Sequence, residues 1–204
     1  MAPQRKTFPR LFLSRADPYR LTGDRVFLRP PERGDYEAWA SLRAGSRDFL
    51  SPWEPSWPPD ALSRANFRAR VARYAEDWRT DQAYNFFIFA HDETLIGGIG
   101  LSNIRRGVSE TASLGYWVGE PFARQRYMTS ALPLVVDFAF ERLGLGLHRL
   151  EAACLPSNLP SRSLLARAGF QQEGYAREYL CIAGKWQDHL LFGILRGDRS
   201  APGD

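Results

Sequence analysis

The chain has 204 residues, enough for one domain with a substantial core and few for two. It is 44% hydrophobic and 25% charged, as globular proteins are, and no apolar run is long enough to cross a bilayer. The formal net charge of +4 at pH 7 is too small to indicate a nucleic-acid-binding domain.

The positive charge is concentrated at the N-terminus. Residues 1–20 contain five basic residues and one acid, so this segment carries the whole net charge and the rest of the chain is near neutral. We expect residues 1–20 to form a basic, flexible arm, with an rRNA contact or an organelle transit peptide as further interpretations. The folded domain is expected to span residues 21–197, followed by a C-terminal tail at residues 198–204.

The cysteines and histidines do not indicate a metal site or a disulfide. Cys154 and Cys181 lie far apart, and neither has a second Cys or a His at metal-ligand spacing. The three histidines are scattered along the chain. We therefore expect free thiols in a reducing compartment, a cytoplasmic location and no bound metal.

The first part of the chain predicts one strand and two helices. Residues 25–29 alternate apolar and polar side chains, which is typical of a strand, and residues 32–44 follow with helical spacing. Residues 62–79 form a second helix with one charged and one apolar face. Between the helices, DFLSPWEPSWPPD (residues 48–60) contains four prolines, which predict an irregular loop.

The second part predicts a sheet and two further helices. Three successive antiparallel strands are predicted for AYNFFIFA, TLIGGIGLSNI and ETASLGYWVG. A loop and helix follow, then the strand LHRLEAAC and a helix expected to stop at Gly169. A hairpin turning near Ala183 and Gly184 completes the chain. This order of elements predicts a mixed α+β layer fold.

The loop at the start of PFARQRYMTSALPLVVDFAF, residues 121–140, has features of an anion site. It joins a strand to a helix N-terminus, where free amides and the helix dipole favour negative charge. Arg124 and Arg126 add guanidinium groups suited to phosphate. Two loop arginines taken alone would favour plain solvation, so the neighbouring sequence decides the interpretation.

Four stretches of the chain carry a family resemblance. They are DFLSPWEP, LIGGIGLSNIRRG, LGYWVGEPFARQRYMTSAL and NLPSRSLLARAGFQQEGYAREYLCIAGKWQDH. Together they resemble the GNAT superfamily of acetyl-CoA-dependent N-acetyltransferases, and within it the ribosomal-protein alanine N-acetyltransferases. The resemblance runs from Arg25 to about Leu195. It implies a single GNAT domain whose mixed, mostly antiparallel sheet splays at the cofactor site and has helices on both faces.

The resemblance also implies residues that bind acetyl-CoA. The backbone near Trp117 and Val118 is expected to bind the pantetheine arm and to polarise the thioester carbonyl. Asn158 and Ser161 are expected beside the pantetheine and the sulfur, and Ser157 or Asn158 is a good helix N-cap whatever the function. The predicted pyrophosphate loop comprises Arg124, Gln125, Arg126, Tyr127, Met128 and Thr129.

This loop departs from the family pattern Arg/Gln-x-x-Gly-x-Gly/Ala. Ala123 stands at the first position, Arg126 at the central glycine and Met128 at the last, small position. Glycine permits close backbone approach to phosphate, whereas Arg126 offers a bidentate side-chain partner instead. We expect backbone amides and guanidinium groups to bind the pyrophosphate jointly. Pro133 fits the following helix if that helix starts near Thr129.

Direct attack by an amine requires a proton acceptor. Glu178 and Glu110 are the candidate bases, acting directly or through water. Glu178 is offset by two from an acid of related enzymes, which on a regular strand keeps the same face. A solvated strand residue is an equally good interpretation of either glutamate. Asp188 and His189 are interpreted as structural residues that close the hairpin.

The departing thiolate takes a proton. Many relatives use a tyrosine seven residues after the asparagine, where this chain has Leu165. Ser161 is our preferred replacement, ahead of Tyr116 and Tyr127.

The proline-rich loop is the predicted acceptor site. Trp53 and Trp57 are expected to wall a slot for an extended peptide N-terminus, and Glu54 to attract its ammonium group. An alternative of equal weight is that both tryptophans fill the gap between the first helices and the sheet.

The predicted function is acetyl transfer from acetyl-CoA to the N-terminal α-amino group of a protein, such as a ribosomal protein with alanine or another small residue first. One alternative is an acetyltransferase for a small amine, an amino acid or an antibiotic, because acceptors change readily on one scaffold. A second is a non-catalytic CoA-sensing or ribosome-binding module, since the loop glycine and the tyrosine are missing. No membrane partner is expected.

Overall fold

A computed structural model of the chain describes residues 19–141 and 144–199. The strands are β1 (Leu21–Thr22), β2 (Val26–Arg29), β3 (Tyr84–Ala90), β4 (Leu95–Arg105), β5 (Thr111–Val118), β6 (Arg149–Cys154), β7 (Gln171–Ile182) and β8 (Lys185–Leu195). The helices are α1 (Tyr36–Gly45), α2 (Arg47–Leu50), α3 (Arg64–Arg79), α4 (Tyr127–Phe140) and α5 (Leu159–Arg167). No helix in the described ranges is long and apolar enough to span a membrane. The arm and the tail predicted from the sequence lie almost wholly outside these ranges.

The strands form one open sheet in the order β1-β2-β3-β4-β5-β6-β8-β7. All neighbouring strands are antiparallel except β5 and β6, which run parallel. α4 forms the crossover that parallel strands require. The predicted mixed, mostly antiparallel sheet is therefore confirmed.

Two apolar cores cover the two faces of the sheet, because side chains alternate along the central strands. On β3, Phe86 and Ile88 belong to a large core that also contains the apolar side of α4. Phe87 and Phe89 face the other way, into a smaller aromatic core with α1 and α3. Phe67 of α3 is fully buried at the centre of this smaller core. Helices thus pack on both faces, as the resemblance implies.

Polar caps and left-handed residues set the ends of several elements. The Ser63 side chain accepts a hydrogen bond from the Asn66 amide at the start of α3. After α5, Gly169 adopts φ +90°, which confirms the predicted stop. Ala183 and Gly184 form the predicted two-residue hairpin turn, with φ of 48° and 78°.

The prediction of an irregular loop over residues 48–60 is partly wrong. Its start is helical, with α2 ending at Leu50 and a 3-10 turn over Ser51–Trp53. Pro52 lies at the beginning of that turn, where a missing backbone N–H is tolerated. The irregular loop therefore begins at Glu54.

The expected start of α4 near Thr129 is also wrong. The helix begins at Tyr127, so that Pro133 lies inside it and cannot donate a hydrogen bond to the Thr129 carbonyl. Seven residues of α4 are buried in the larger core, and this packing holds the helix in spite of the proline.

Two glycines of the predicted LIGGIG strand let β5 approach β4 closely. A Cβ on Gly97 would lie 2.3 Å from the Trp117 carbonyl oxygen, and one on Gly98 would lie 2.4 Å from Trp117 Nε1. Contacts this short do not occur between such atoms, so a larger residue at either position must displace Trp117. The position of Trp117 therefore depends on these glycines.

We predict that Gly97→Ala lowers the free energy of unfolding by about 1–3 kcal/mol, because the methyl group meets backbone that cannot turn away. Gly45→Ala at the end of α1 is the matched control, since nothing lies within 4 Å of its added Cβ. The control should stay within about 1 kcal/mol of the wild type. Urea denaturation measures both, and equal effects would contradict the close-approach argument.

Candidate active site

β5 and β6 separate to form a wedge-shaped cleft. In the described chain they pair only from Thr111 with Arg149 to Ser113 with Glu151. Beyond that point, residues 114–118 have no strand partner on the β6 side, so alternate backbone N–H and C=O groups face the opening. The predicted splay is thus confirmed. Trp117 and Val118 lie at its open end.

Two hydroxyl groups meet across the cleft. The Tyr116 phenol oxygen of β5 lies 2.7 Å from Ser161 Oγ of α5. The Ser161 amide donates to Asn158 Oδ1 at 3.1 Å, so Asn158 is the N-cap of α5. Burial raises the pKa of Tyr116 to about 12, although the hydrogen bond to Ser161 opposes this rise. The phenol is therefore protonated at neutral pH.

Cys154 stands beside this pair at the end of β6. Burial raises the pKa of its thiol, while the neighbouring Ser161 hydroxyl and the positive charge of Arg162 act in the opposite direction. The thiol is accordingly protonated at neutral pH and is a poor nucleophile.

The predicted pyrophosphate loop contains no glycine, yet two of its residues adopt the left-handed backbone conformation that glycine favours. Arg124 and Arg126 both adopt the left-handed conformation, with φ of 60° and 64°. Arg126 is the N-cap of α4, and no side chain caps the helix. The first-turn amides have no intrahelical partners and are free to bind an anion. Within the described residues, neither guanidinium group forms an ion pair or a hydrogen bond, so both are available to a phosphate.

The other loop residues fix its shape. The Arg25 guanidinium donates to the Gln125 carbonyl at 2.7 Å and lies 4.9 Å from the centre of the Tyr127 ring. The Gln125 side chain donates to the Pro121 carbonyl at 2.6 Å. Met128 is buried in the core and offers a ligand only its amide. Sequence reasoning missed Arg25, because nothing local relates it to a loop 100 residues away.

Arg43 is a second residue that sequence reasoning missed. Its guanidinium donates to both carboxylate oxygens of Glu54, at 2.7 and 2.6 Å. It also stacks on two indole rings, 4.2 Å from the centre of Trp57 and 4.8 Å from that of Trp117. Arg43 therefore joins the proline-rich loop to the cofactor strand β5.

These contacts correct the predicted role of Glu54. Its charge is already compensated by Arg43, and its Oε2 also accepts a hydrogen bond from Trp57 Nε1 at 2.8 Å. Glu54 and Trp57 thus fix the loop against Arg43. Trp53 remains 37% exposed, so its predicted contact with an acceptor stays a prediction.

The same loop is attached to the tip of the closing hairpin. The Ala183 amide donates to the Glu54 carbonyl at 3.0 Å. Below the tip lies an open surface depression of about 350 Å³. Its lining residues are Leu155, Pro156, Ser157, Tyr175, Glu178, Trp186, Gln187 and Asp188. The depression borders the N-terminus of α5 and hence the end of the cleft.

Glu178 lies in this depression, but not for the reason given by the sequence. The pairing of β7 with β8 shifts between Ala176 and Leu180, and Glu178 has φ of 45°. This bulge breaks the strand alternation, so the argument that an offset of two keeps the same face is wrong. The Glu178 amide donates to Asp188 Oδ1 at 2.7 Å. Its carboxylate has no ion pair or hydrogen bond within the described residues.

Asp188 is the less suitable base of the depression. Its hydrogen bond from the Tyr175 hydroxyl lowers its pKa, with further help from the Glu178 amide. Both carboxylate oxygens are occupied by these donors, as expected for a residue that fastens the hairpin.

The structure does not bring Glu110 into the cleft, which corrects its candidacy as a base. Glu110 precedes β5 at the closed end of the wedge, about 23 Å along the strand from Trp117. Its carboxylate accepts hydrogen bonds from the Gly107 amide at 3.1 Å and from Arg106 at 3.2 Å. Glu110 therefore shapes the β4–β5 turn.

Comparison with known proteins accords with this geometry. The model of the acetyltransferase (GNAT) domain matches residues 25–171. The probable N-acetyltransferase YjcK of Bacillus subtilis (strain 168) is 38% identical over 179 residues, covering 87% of this chain and 98% of that protein. The ribosomal protein uS5-alanine N-acetyltransferase of Escherichia coli (strain K12) is 35% identical over 182 residues, covering 88% and 92%. The structure of Mycobacterium smegmatis RimJ in complex with CoA-disulfide matches with a TM-score of 0.82 at 30% identity, covering 88% of this chain and 89% of that one.

The splayed sheet, the uncapped N-terminus of α4 and these matches define an acyltransferase that uses acetyl-CoA. The chain belongs to the GNAT family of acetyltransferases, and its relatives include ribosomal-protein alanine N-acetyltransferases. It is an acetyl-CoA-dependent N-acetyltransferase, which sets aside the alternative of a non-catalytic module.

We predict that CoA raises the melting temperature of the wild type, because it binds only the folded state. Arg126→Glu should lower CoA affinity about 10- to 100-fold by repelling the pyrophosphate. Arg126→Gly should bind CoA more tightly than the Glu variant, because it keeps the left-handed backbone.

Arg68→Glu is the control for this charge reversal. Arg68 is an exposed residue of the first half of α3, beside Phe67 of the smaller core on the face of the sheet opposite α4. Titration calorimetry with CoA compares the variants. Wild-type affinity in Arg126→Glu would refute the assignment of the loop.

We predict that Arg43→Met lowers the free energy of unfolding by about 2–4 kcal/mol, because it leaves the partly buried Glu54 carboxylate without its cation. Arg64→Met is the matched control, since Arg64 pairs with Glu37 and both side chains are exposed. Its cost should be below about 1 kcal/mol. Equal losses of the free energy of unfolding in urea denaturation would show that the Arg43–Glu54 pair stabilises the fold no more than an exposed pair does.

Proposed function

We propose that this enzyme acetylates the N-terminal α-amino group of a protein whose first residue is alanine or another small residue, and that its acceptor is a ribosomal protein. The observation that carries the proposal is the open end of the cleft. There the closing hairpin and the carboxylate of Glu178 border an accessible depression, and the hairpin tip is attached to the loop that carries the exposed Trp53. An extended chain end fits such an opening better than a compact molecule that must be enclosed.

The residues of the cleft fit acetyl-CoA, which supplies an acetyl group activated as a thioester. The unpaired amides at the start of α4 with Arg124 and Arg126 suit a pyrophosphate. Thr129 is exposed on the same turn. The unpartnered backbone near Trp117 and Val118 suits the amide groups of a pantetheine arm.

Glu178 and Ser161 are the proposed proton-handling residues. Glu178 accepts a proton from the attacking amine, directly or through water, and the Ser161 hydroxyl donates toward the sulfur. An α-amino group has a reference pKa of about 8, against about 10.4 for a lysine side chain. An exposed carboxylate is therefore a sufficient base for an α-amine but a weak one for lysine.

Similarity to an enzyme named for its acceptor supports the choice of acceptor. The ribosomal protein uS5-alanine N-acetyltransferase of Escherichia coli aligns with 88% of this chain. We extend its acceptor class to this enzyme, together with a cytoplasmic location, which agrees with the two free cysteines. We also propose that residues 1–20, which lie largely outside the described residues, contact rRNA through their positive charge.

The test is turnover with acetyl-CoA on a panel of acceptors. We predict activity on peptides that begin with alanine or serine, and little on N-terminally blocked peptides with an internal lysine. Trp53→Ala should raise the peptide KM about tenfold through the loss of an aromatic contact, while CoA affinity stays unchanged. Trp53→Phe is the matched control and should keep most of the peptide affinity.

Activity on spermidine or an aminoglycoside without activity on any N-terminal peptide would replace this proposal by the small-amine alternative. For the ribosomal acceptor, the intact masses of ribosomal proteins are compared between cells with and without the enzyme. A loss of 42 Da, the mass of one acetyl group, from a single protein would identify it. Unchanged masses for all of them would reject a ribosomal acceptor.

A further inference from the structure

The hydroxyl pair at the cleft contains a residue that no role so far explains. Tyr116 lies on β5 and Ser161 on α5, and their oxygens are 2.7 Å apart. Leu165 of α5 is only 1% exposed, because its side chain is buried in the core. No hydroxyl reaches the cleft from that position, whereas a phenol does reach it from β5.

Either oxygen of this hydrogen bond can be the donor, so the choice between them rests on the needs of the two hydroxyl groups. Each hydroxyl has one hydrogen, and the Tyr116 phenol has no other hydrogen-bond partner among the described residues. Burial raises the pKa of Tyr116 to about 12, so the phenol keeps its hydrogen and needs an acceptor. Donation from Tyr116 to Ser161 Oγ satisfies the phenol. It leaves the Ser161 hydrogen free to point elsewhere.

A thiol stands beside the hydroxyl pair, that of Cys154 at the end of β6. The Ser161 hydroxyl acts on the thiol of Cys154, whose pKa it lowers against the larger effect of burial. Arg162 is the other group that acts on this thiol in the same direction. The site therefore combines a directed hydroxyl donor with surroundings that accommodate sulfur.

We propose that Tyr116 is a positioning residue that orients the Ser161 hydroxyl toward the sulfur of the leaving group and returns a proton to it. The inference rests on the proposed function.

The proton and electron balance is complete. The amine nitrogen forms a bond to the acetyl carbon, and the bond from that carbon to sulfur breaks with its electron pair on sulfur. Sulfur takes the Ser161 hydrogen, Ser161 takes the Tyr116 hydrogen, and solvent reprotonates Tyr116. The proton lost by the amine passes to Glu178 and then to solvent.

The first experiment needs no acceptor. The pKa of the thiol of enzyme-bound CoA is measured from its alkylation rate by iodoacetamide across pH. A donor to the thiolate lowers that pKa. Tyr116→Phe should raise it by about half a unit to one unit, Ser161→Ala by more, and the double variant by no more than Ser161→Ala. Cys154 and Arg162 are the same in all these variants.

Tyr84→Phe is the matched control. Its phenol is also buried, also hydrogen-bonded at 2.7 Å, and lies on β3 with Asp81 as its partner. This variant should leave the pKa of the bound thiol unchanged. Ser161→Thr keeps a hydroxyl and should stay closer to the wild type than Ser161→Ala, which decides the matter if Tyr116→Phe does not fold.

The second experiment is turnover. Tyr116→Phe should lower kcat about tenfold and Ser161→Ala about 100-fold, with KM for both substrates within about twofold of the wild type. The double variant should match Ser161→Ala. The inference would be overturned if the losses of kcat in the two single variants multiplied in the double variant. An unchanged pKa of the bound CoA thiol in Tyr116→Phe would also overturn it. If the wild type acetylates none of the acceptors, the proposed function is wrong. The role of Tyr116 is still tested in that case, because the titration of the CoA thiol needs no acceptor.

Discussion

The separation of β5 from β6 is the constraint on which the site depends. Paired strands satisfy one another's backbone groups, and after Ser113 these two strands no longer do so. The unsatisfied groups on β5 are therefore available to a ligand that carries amides of its own. α4 follows β5 and α5 follows β6. Both helices consequently start at the open end of the wedge, where their first-turn amides add to the same site.

Two consecutive residues of β5 project to opposite faces of the sheet and make different contacts. Tyr116 projects to one face and reaches Ser161. Trp117 projects to the other face, where Arg43 stacks on its ring and holds the proline-rich loop through Glu54. A single strand thus fixes the hydroxyl pair and the proline-rich loop on opposite faces. A shift of β5 would disturb both at once, which explains why Gly97 matters beyond local packing.

Periodicity and turn residues were sufficient to predict most of the fold. β6 alternates in burial, whereas β3 and the first half of β4 are almost continuously buried because both of their faces are covered. Gly169 and the Ala183–Gly184 pair have the glycine that predicts a helix stop and a hairpin turn. The helical start of the proline-rich segment was not predictable, because Pro52 occupies the one place in a 3-10 turn that tolerates it. Pro133 favoured a later start of α4 than the structure shows, because tertiary packing holds the helix in spite of the proline.

The candidate site was predictable where it is contiguous in sequence and not where it is assembled by folding. The loop at Arg124 and Arg126 follows from the chain, but its left-handed backbone does not, because arginine rarely adopts it. The pair of Arg43 and Glu54 arises from packing and leaves no local signal. Glu110 looked equivalent to Glu178 until the topology placed it at the far end of β5.

The bulged strand β7 also has a consequence for association between molecules. β7 ends the sheet, and a straight apolar edge strand is a template for another chain. β7 is instead interrupted twice in its pairing with β8 and carries Glu173, Arg177 and Glu178 along its exposed length. The irregularity that brings Glu178 into the depression therefore also disfavours the continuous strand-to-strand pairing from which aggregates grow.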